Sequence, residues 1–331
     1  MSRWEKIPGR GFTGSTASMG AWLLGACVLL MAALPACASQ LATESQAAVP
    51  RDVQQLIVVD YPKMANSDIA MKLRAKVLPP ELKRLEDSLE KSGLNVDRSV
   101  AQLAFASYRV PGESATRIVG IASGQFPVQD FLDDFKKHHV KGTLVRNETI
   151  YPMGNTGLSV AFLDQTTMVF GSLDAIKDSL NARDGISPSF LKNTAMQNLI
   201  PPLQDGAVWS ILDQKGTQEM MRSVLGQAAQ VADYSTVKNS LLGSRYTMEF
   251  NQGVRFSLDV ITPDTVTAAT MSSLMGAAAL YEKMNATPIE KQAINATDIN
   301  SSGNLLQVRF STTDDQFATL LNSQLFQSVV R

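Results

Sequence analysis

The feature that most constrains this chain is that its local signals come twice, in the same order. A proline opens an amphipathic helix at Pro127, and another proline does so at Pro263, 136 residues on. A hydroxyl caps a helix at Ser172, and Thr313 does the same 141 residues later. Near-constant spacing between matching signals is what a duplicated supersecondary unit leaves in a sequence. The plainer alternative is two ordinary α+β domains that happen to share a common pattern.

In the first copy, VQQLIVVD (53–60) reads as a strand. Residues 68–92 are helical in pattern, broken at Pro79-Pro80, with Leu82, Leu85 and Leu89 on one face. SVAQLAFASYRV (99–110) and TRIVGIASG (116–124) pair as strands across Pro111-Gly112. Val128, Phe131, Leu132 and Phe135 mark the helix after Pro127. Strands follow near 143–151 and 158–170, the second open to a hairpin at Asp164-Gln165-Thr166. In the second copy AVWSILD (207–213) is the first strand, and a long helical region covers about 218–238. Arg245–Phe250 and Val254–Ile261 pair across Asn251-Gln-Gly253. Val254, Phe256, Leu258 and Val260 point to one side, and Arg255, Ser257 and Asp259 to the other. Thr262-Pro263-Asp264 starts a helix with Thr262 as its cap. Strands near 293–299 and 304–311 precede a capping box, Thr313-Asp-Asp-Gln316.

These patterns predict an α+β protein of two tandem β-α-β-β-α-β-β-α units, 51–200 and 201–331, with mainly antiparallel sheets backed by helices. Two small half-covered sheets gain by burying apolar faces against each other, so the units are expected to pack together.

The N-terminus is a different kind of sequence. Arg3, Lys6 and Arg10 precede an uncharged run from Met19 to Ala38, which reads as a secretory signal over 1–38. Leu34-Pro35-Ala36-Cys37 resembles a bacterial lipobox, in which Cys37 is lipidated, although Pro35 departs from the pattern. Ala36-Cys37-Ala38 is also an A-x-A cleavage site, and an uncleaved anchor is a third reading, since about 20 residues cross a bilayer. Residues 39–50 (SQLATESQAAVP) read as a flexible tether. Both cysteines, Cys27 and Cys37, lie in the signal, so the body has no disulfide. With 30 basic against 31 acidic side chains, no general basic field exists for nucleic acid.

Ile150-Tyr151, Ser159-Val-Ala-Phe-Leu-Asp164, Thr167-Met-Val-Phe-Gly-Ser172, Asp174-Ala-Ile-Lys177 and Leu180-Asn-Ala-Arg183 resemble a segment of uncharacterised exported bacterial proteins. The "VWSILD" strand and the "LLQVRFSTTDDQFATLL" ending are similar in layout to that family's second half. The resemblance covers roughly 51–331 and implies the architecture and export; the family has no assigned activity, so it implies no chemistry.

The search for chemistry yields little. Gly9-Arg-Gly11-Phe-Thr-Gly14 has the letters of a dinucleotide loop but follows no strand. His138-His139 point about 100° apart on a helix and cannot chelate one metal as an i, i+4 pair does. With Lys136, Lys137 and Lys141 they form either a solvated basic helix end or a patch for an anionic partner, centred on Lys136, Lys137, His138 and Lys141. Asp133-Asp134 and Asp314-Asp315 are paired carboxylates on helices, the second pair within a cap. The 164–167 turn and 298–304 loop lack the ligand order of a calcium loop. Ser88-Leu-Glu-Lys91 sits in a charged helix face, and neither G-x-S-x-G nor H-E-x-x-H occurs. Trp209 reads as core, with a ligand platform as the alternative, and the methionines at 220, 221, 271, 275 and 284 read as core, with a hydrophobic groove between long helices as the alternative.

The expectation is therefore a non-enzymatic, exported cell-envelope protein, periplasmic or at the surface. It would be tethered at Cys37, without cofactor or metal, and would bind an unknown envelope partner or ligand through its body. An envelope hydrolase with a site assembled from distant residues, or a carrier of lipid or another hydrophobic ligand, is the alternative. A deep pocket with convergent polar groups would favour the hydrolase, a greasy groove the binder, and an enclosed apolar cavity the carrier.

Overall fold

Beta-branched residues and strict alternation build one antiparallel sheet of twelve strands. The computed structural model describes residues 41–331 except 95, 114–115, 155, 201–205, 226–233, 324–325 and 327–331. In chain order the first half holds α1 (Thr43–Ala47), β1 (Val53–Asp60), α2 (Tyr61–Ala65), α3 (Asp68–Val77), α4 (Pro80–Lys91), β2 (Val100–Arg109), β3 (Thr116–Gly124) and α5 (Val128–Lys137). It continues through β4 (Thr143–Val145), β5 (Glu148–Pro152), β6 (Ser159–Phe162), β7 (Thr167–Gly171) and α6 (Leu173–Arg183). The second half holds β8 (Val208–Leu212), α7 (Gln214–Leu225), β9 (Gly243–Glu249), β10 (Val254–Ile261), α8 (Thr265–Asn285), α9 (Pro288–Asn295), β11 (Thr297–Ser302), β12 (Leu305–Thr312) and α10 (Asp314–Leu320). The sheet order is β11-β12-β10-β9-β8-β1-β2-β3-β7-β6-β5-β4, so the halves meet where β1 pairs with β8, Val58 opposite Trp209.

The period of two sends alternate residues to two faces. On one face, Leu56, Val58, Ala104, Ala106, Val119, Ile121 and Val169 form a core with Ala175, Ile176 and Leu180 of α6, closed by Phe190 and Met196. On the other, Phe162, Met168 and Phe170 meet Leu85 and Leu89 of α4 and Phe131 and Phe135 of α5. Gly120 is required there: a Cβ on it would lie 2.2 Å from the Phe170 ring, which packs edge-on against Phe105 at 5.8 Å. In the second half that same face carries Leu258, Val260, Leu306 and Val308 under Met271, Met275 and Ala278 of α8 and Met221 of α7. There Phe317 of α10 and Leu321 just past its end are buried with Val254 and with Ile69 of α3.

Several local expectations need correction. Residues 41–50 are no tether. Leu41, Ala48 and Val49 are buried in the first core, Ser179 Oγ donates to Ala48 O at 2.5 Å, and Phe190 N–H donates to Val49 O at 2.8 Å. The polar composition misleads because the few apolar residues, which flank α1, are buried together with Ser45 of the helix itself: Ser45 and Ser123 share a hydroxyl hydrogen bond at 3.0 Å. The cap of α8 is Asp264, whose side chain accepts from Thr267 N–H at 2.7 Å. Thr262 is buried instead and donates to Asp264 O and Asn304 O. The segment placed in a strand from 293 is the end of α9, begun by Pro288 inside a Thr287/Glu290 capping box. The strand expected over 143–151 is a hairpin, β4–β5, turned at Arg146 with φ +61°. The first half therefore has one strand pair more than the β-α-β-β-α-β-β-α pattern. The hairpin at Asp164 and the caps at Ser172 and Thr313 stand as read.

Candidate functional site

An apolar recess lies where α3 and α4 lean on β2, β3 and β7. Helix α3 must end at Leu78, because a residue before proline avoids helical backbone, and Pro80 then starts α4 with its φ already set. The resulting elbow leaves Leu78 and Leu82 above Leu103, Phe105, Met168 and Phe170. Arg74 and Glu86 form an ion pair at the rim, less than a fifth exposed, and the Arg74 guanidinium lies 5.9 Å from the Tyr61 ring centre. The cavity holds about 70 Å³ and opens to solvent. That is far below the roughly 300 Å³ at which small-molecule pockets begin. Arg74 and Glu86 are the charged groups in its lining, and they pair with each other. A wider cleft of about 250 Å³ between α3 and α10 is lined by Lys72, Lys76 and Asn322, and Lys76 Nζ donates to Asn322 Oδ1 at 2.8 Å.

Two partly buried polar clusters look like chemistry but are tied into structure. The Tyr108 hydroxyl donates to Asp178 Oδ2 at 2.9 Å, which also accepts from Arg117 at 2.8 Å. Burial foremost, then the bond to Asp178, pushes the Tyr108 phenol well above its usual range, so it stays protonated and rivets α6 to β2. At the seam, Gln54 donates to Glu219 of α7 while Arg109 of β2 donates to Asp213, whose other oxygen accepts from Gly216 N–H at 2.7 Å. These bonds brace the start of α7 against the first half.

The outward face of β9–β12 is polar. Asp259 receives Arg245 at 3.1 Å and Arg309 at 2.6 Å, and Arg255 reaches Glu249 at 3.4 Å. Arg309 also donates to Leu258 O at 2.9 Å. No hydrophobic cluster among the described residues lies on this face, a common state for an antiparallel sheet.

Cys37 lies outside the described residues. Lys136, Lys137, His138 and Lys141 stand at the exposed end of α5. Lys136 pairs with Asp133 at 3.3 Å and His138 Nδ1 lies 3.1 Å from Asp134, so carboxylates one turn back offset part of the charge. His139 takes φ +53° just past the helix end. Asp314 and Asp315 lie in the first turn of α10, and Asp164 accepts from the Thr166 N–H and hydroxyl. Among the described residues no three of His, Cys, Asp and Glu gather as metal ligands, and no helix is long and apolar enough to cross a membrane. Trp209 is buried at the seam. Sequence reading missed the recess itself. Its signal was the Pro79-Pro80 elbow between two helices, which a composition argument treats only as a break.

No protein-family model and no curated protein matches the chain. Among solved structures it is similar to TP0453, a treponemal protein. Crystal form I gives a TM-score of 0.50 at 10% identity, covering 88% of this chain and 100% of that one. Crystal form III gives 0.47 at 9% identity, covering 83% and 96%. At this identity the likeness is one of fold alone.

Proposed function

We propose that this is a non-enzymatic, exported cell-envelope protein, held at the membrane by lipidated Cys37, that binds a partner or ligand through a duplicated α+β body. The observation that carries the binding reading is the shallow apolar recess under the α3–α4 elbow. A partner could seat one or two apolar side chains there. The recess has neither the volume nor the convergent polar groups that a hydrolase needs, and it is too small and open for a lipid carrier.

Duplication is supported by strand order. Outward from the seam the first half runs β1-β2-β3-β7-β6 and the second β8-β9-β10-β12-β11. In each, the helix after the third strand, α5 or α8, covers the same sheet face. The copies diverge in the last helix, since α6 crosses to the opposite face and α10 does not.

Two measurements test the proposal. Mass analysis of the mature N-terminus gives an acylated Cys37 if the anchor is right and a free Ser39 if it is wrong. A Leu82→Trp reporter titrated with short apolar peptides gives a saturable blue shift if the recess binds. Ester turnover without such a shift supports the hydrolase.

A further inference from the structure

The sheet ends in two free edges, and they differ in charge. At one edge β11 carries Asp298 and no cation. At the other, β4 is preceded by Lys141 and followed by Arg146. In the basic run at the end of α5, Lys136 and His138 lie beside carboxylates. Lys141 has no carboxylate partner among the described residues, and Arg146 donates to a neutral amide, Asn181 Oδ1, at 3.0 Å. Glu148, the acid across the hairpin from Val145, is already bonded to Arg183 at 2.8 Å. An acidic group arriving at this edge therefore meets two cations that no carboxylate neutralises.

The backbone there has the form that accepts a strand. A two-residue loop, Arg146-Asn147, joins β4 to β5, with Val145 opposite Glu148, Leu144 opposite Thr149 and Thr143 opposite Ile150. In such a hairpin the pair flanking the loop exchanges both backbone bonds, and the next pair exchanges none. Leu144 belongs to that next pair, so its N–H and C=O point away from β5 toward the open edge. Gly142 lets the chain lie flat against β5 ahead of the strand, since a Cβ there would lie 2.2 Å from Thr149 Cγ2. The two faces of the edge are distinct. Val145 packs on the core that holds Ile150 and α6, and Arg146 reaches Asn181 of α6 on the same side. Alternation puts Lys141 on that side too and Leu144 on the other, where it is 71% exposed. A strand laid against β4 thus meets cations on one face and an uncovered leucine on the other.

We propose that the β4 edge binds an extended segment of a partner protein in which acidic and apolar residues alternate, added to the sheet as one more strand. Backbone bonds at Leu144 hold it, its carboxylates meet Lys141 and Arg146, and its apolar side chains cover Leu144. The edge lies outside the recess under the α3–α4 elbow, so either can fail without the other. The probe is a fluorescein-labelled peptide of alternating glutamate and valine. It is titrated by anisotropy into the protein from Ser39 onward, a compact unit with its own cores. Saturable binding is expected, weaker in high salt and absent for the counterpart with lysine in place of glutamate. Leu144→Pro removes an N–H that the hairpin does not use, and proline is tolerated at such edge positions. Binding should be lost in that variant with the melting temperature little changed. Lys141→Glu should raise the dissociation constant by about tenfold or more. Arg146→Gly suits the left-handed turn position, φ +61°, so it should weaken binding without loss of stability. No binding, or binding indifferent to Leu144→Pro, would overturn the proposal. So would a dimer of the protein lost in Leu144→Pro, or adhesion to anionic lipid vesicles lost in Lys141→Glu, since either gives the edge a different occupant.

Discussion

The first half of the sheet is sandwiched and the second half is backed on one side only. Between β1 and β7, Leu56, Ala104 and Ile121 face α6 while Phe105 and Phe170 face α4 and α5. Between β9 and β12, Leu258 and Val308 face α8, but Arg245, Asp259 and Arg309 face outward. The difference comes from where the closing helix goes. Helix α6 returns across the sheet, joined there by α1, and so makes a core of residues that would otherwise meet water. Helix α10 stays beside α3. One sheet thus supports a three-layer half and a two-layer half with a polar face.

The largest way to break the comparison is to uncover the first half. Deleting residues 39–50 removes Leu41, Ala48 and Val49 from the core, which is expected to lower unfolding free energy by about 4–6 kcal/mol in a urea titration. Truncating only exposed Thr43 and Glu44 to alanine should change it little. Next, Gly120→Ala drives a methyl into the Phe170 ring and should cost about 1–3 kcal/mol, with weaker phenylalanine bands in near-ultraviolet dichroism as the Phe105–Phe170 packing is lost. On the open face the matching change is milder. Asp259→Asn leaves Arg245 and Arg309 without their shared anion and should cost about 1 kcal/mol, shrinking further in high salt.

The smallest effect is a pH effect at the start of α8. The Thr267 N–H beside Asp264 holds its carboxyl below the usual range. Because the folded value is the lower one, this stabilisation is complete above the unfolded carboxylate pKa of about 3.9 and disappears as pH falls through the folded value. Asp264→Asn keeps a capping oxygen but cannot titrate. The stability gap between wild type and Asp264→Asn should therefore close between about pH 4 and the folded pKa, with thermal melts across that range as the check.

Much of the local fold was legible. The alternation of Val254–Ile261 assigned both faces of β10 correctly, including the outward Arg255 and Asp259. Thr313-Asp-Asp-Gln316 capped α10 as its letters require. The Thr287/Glu290 box is equally explicit: it starts α9, which runs through Ala293 and Ile294 to Asn295. The candidate site was less legible, because the recess depends on how far the α3–α4 elbow stands off the sheet, and proline spacing gives the break but not the angle.

The sequence by itself determined the faces of β10 and the caps at Ser172 and Thr313, because each depends on residues within a turn or two of one another. Only the tertiary structure decided that residues 41–50 dock, that β1 and β8 join the halves, and that α10 leaves one face bare. Those outcomes turn on contacts between segments more than a hundred residues apart, such as Ala48 with Ser179, which no local period encodes.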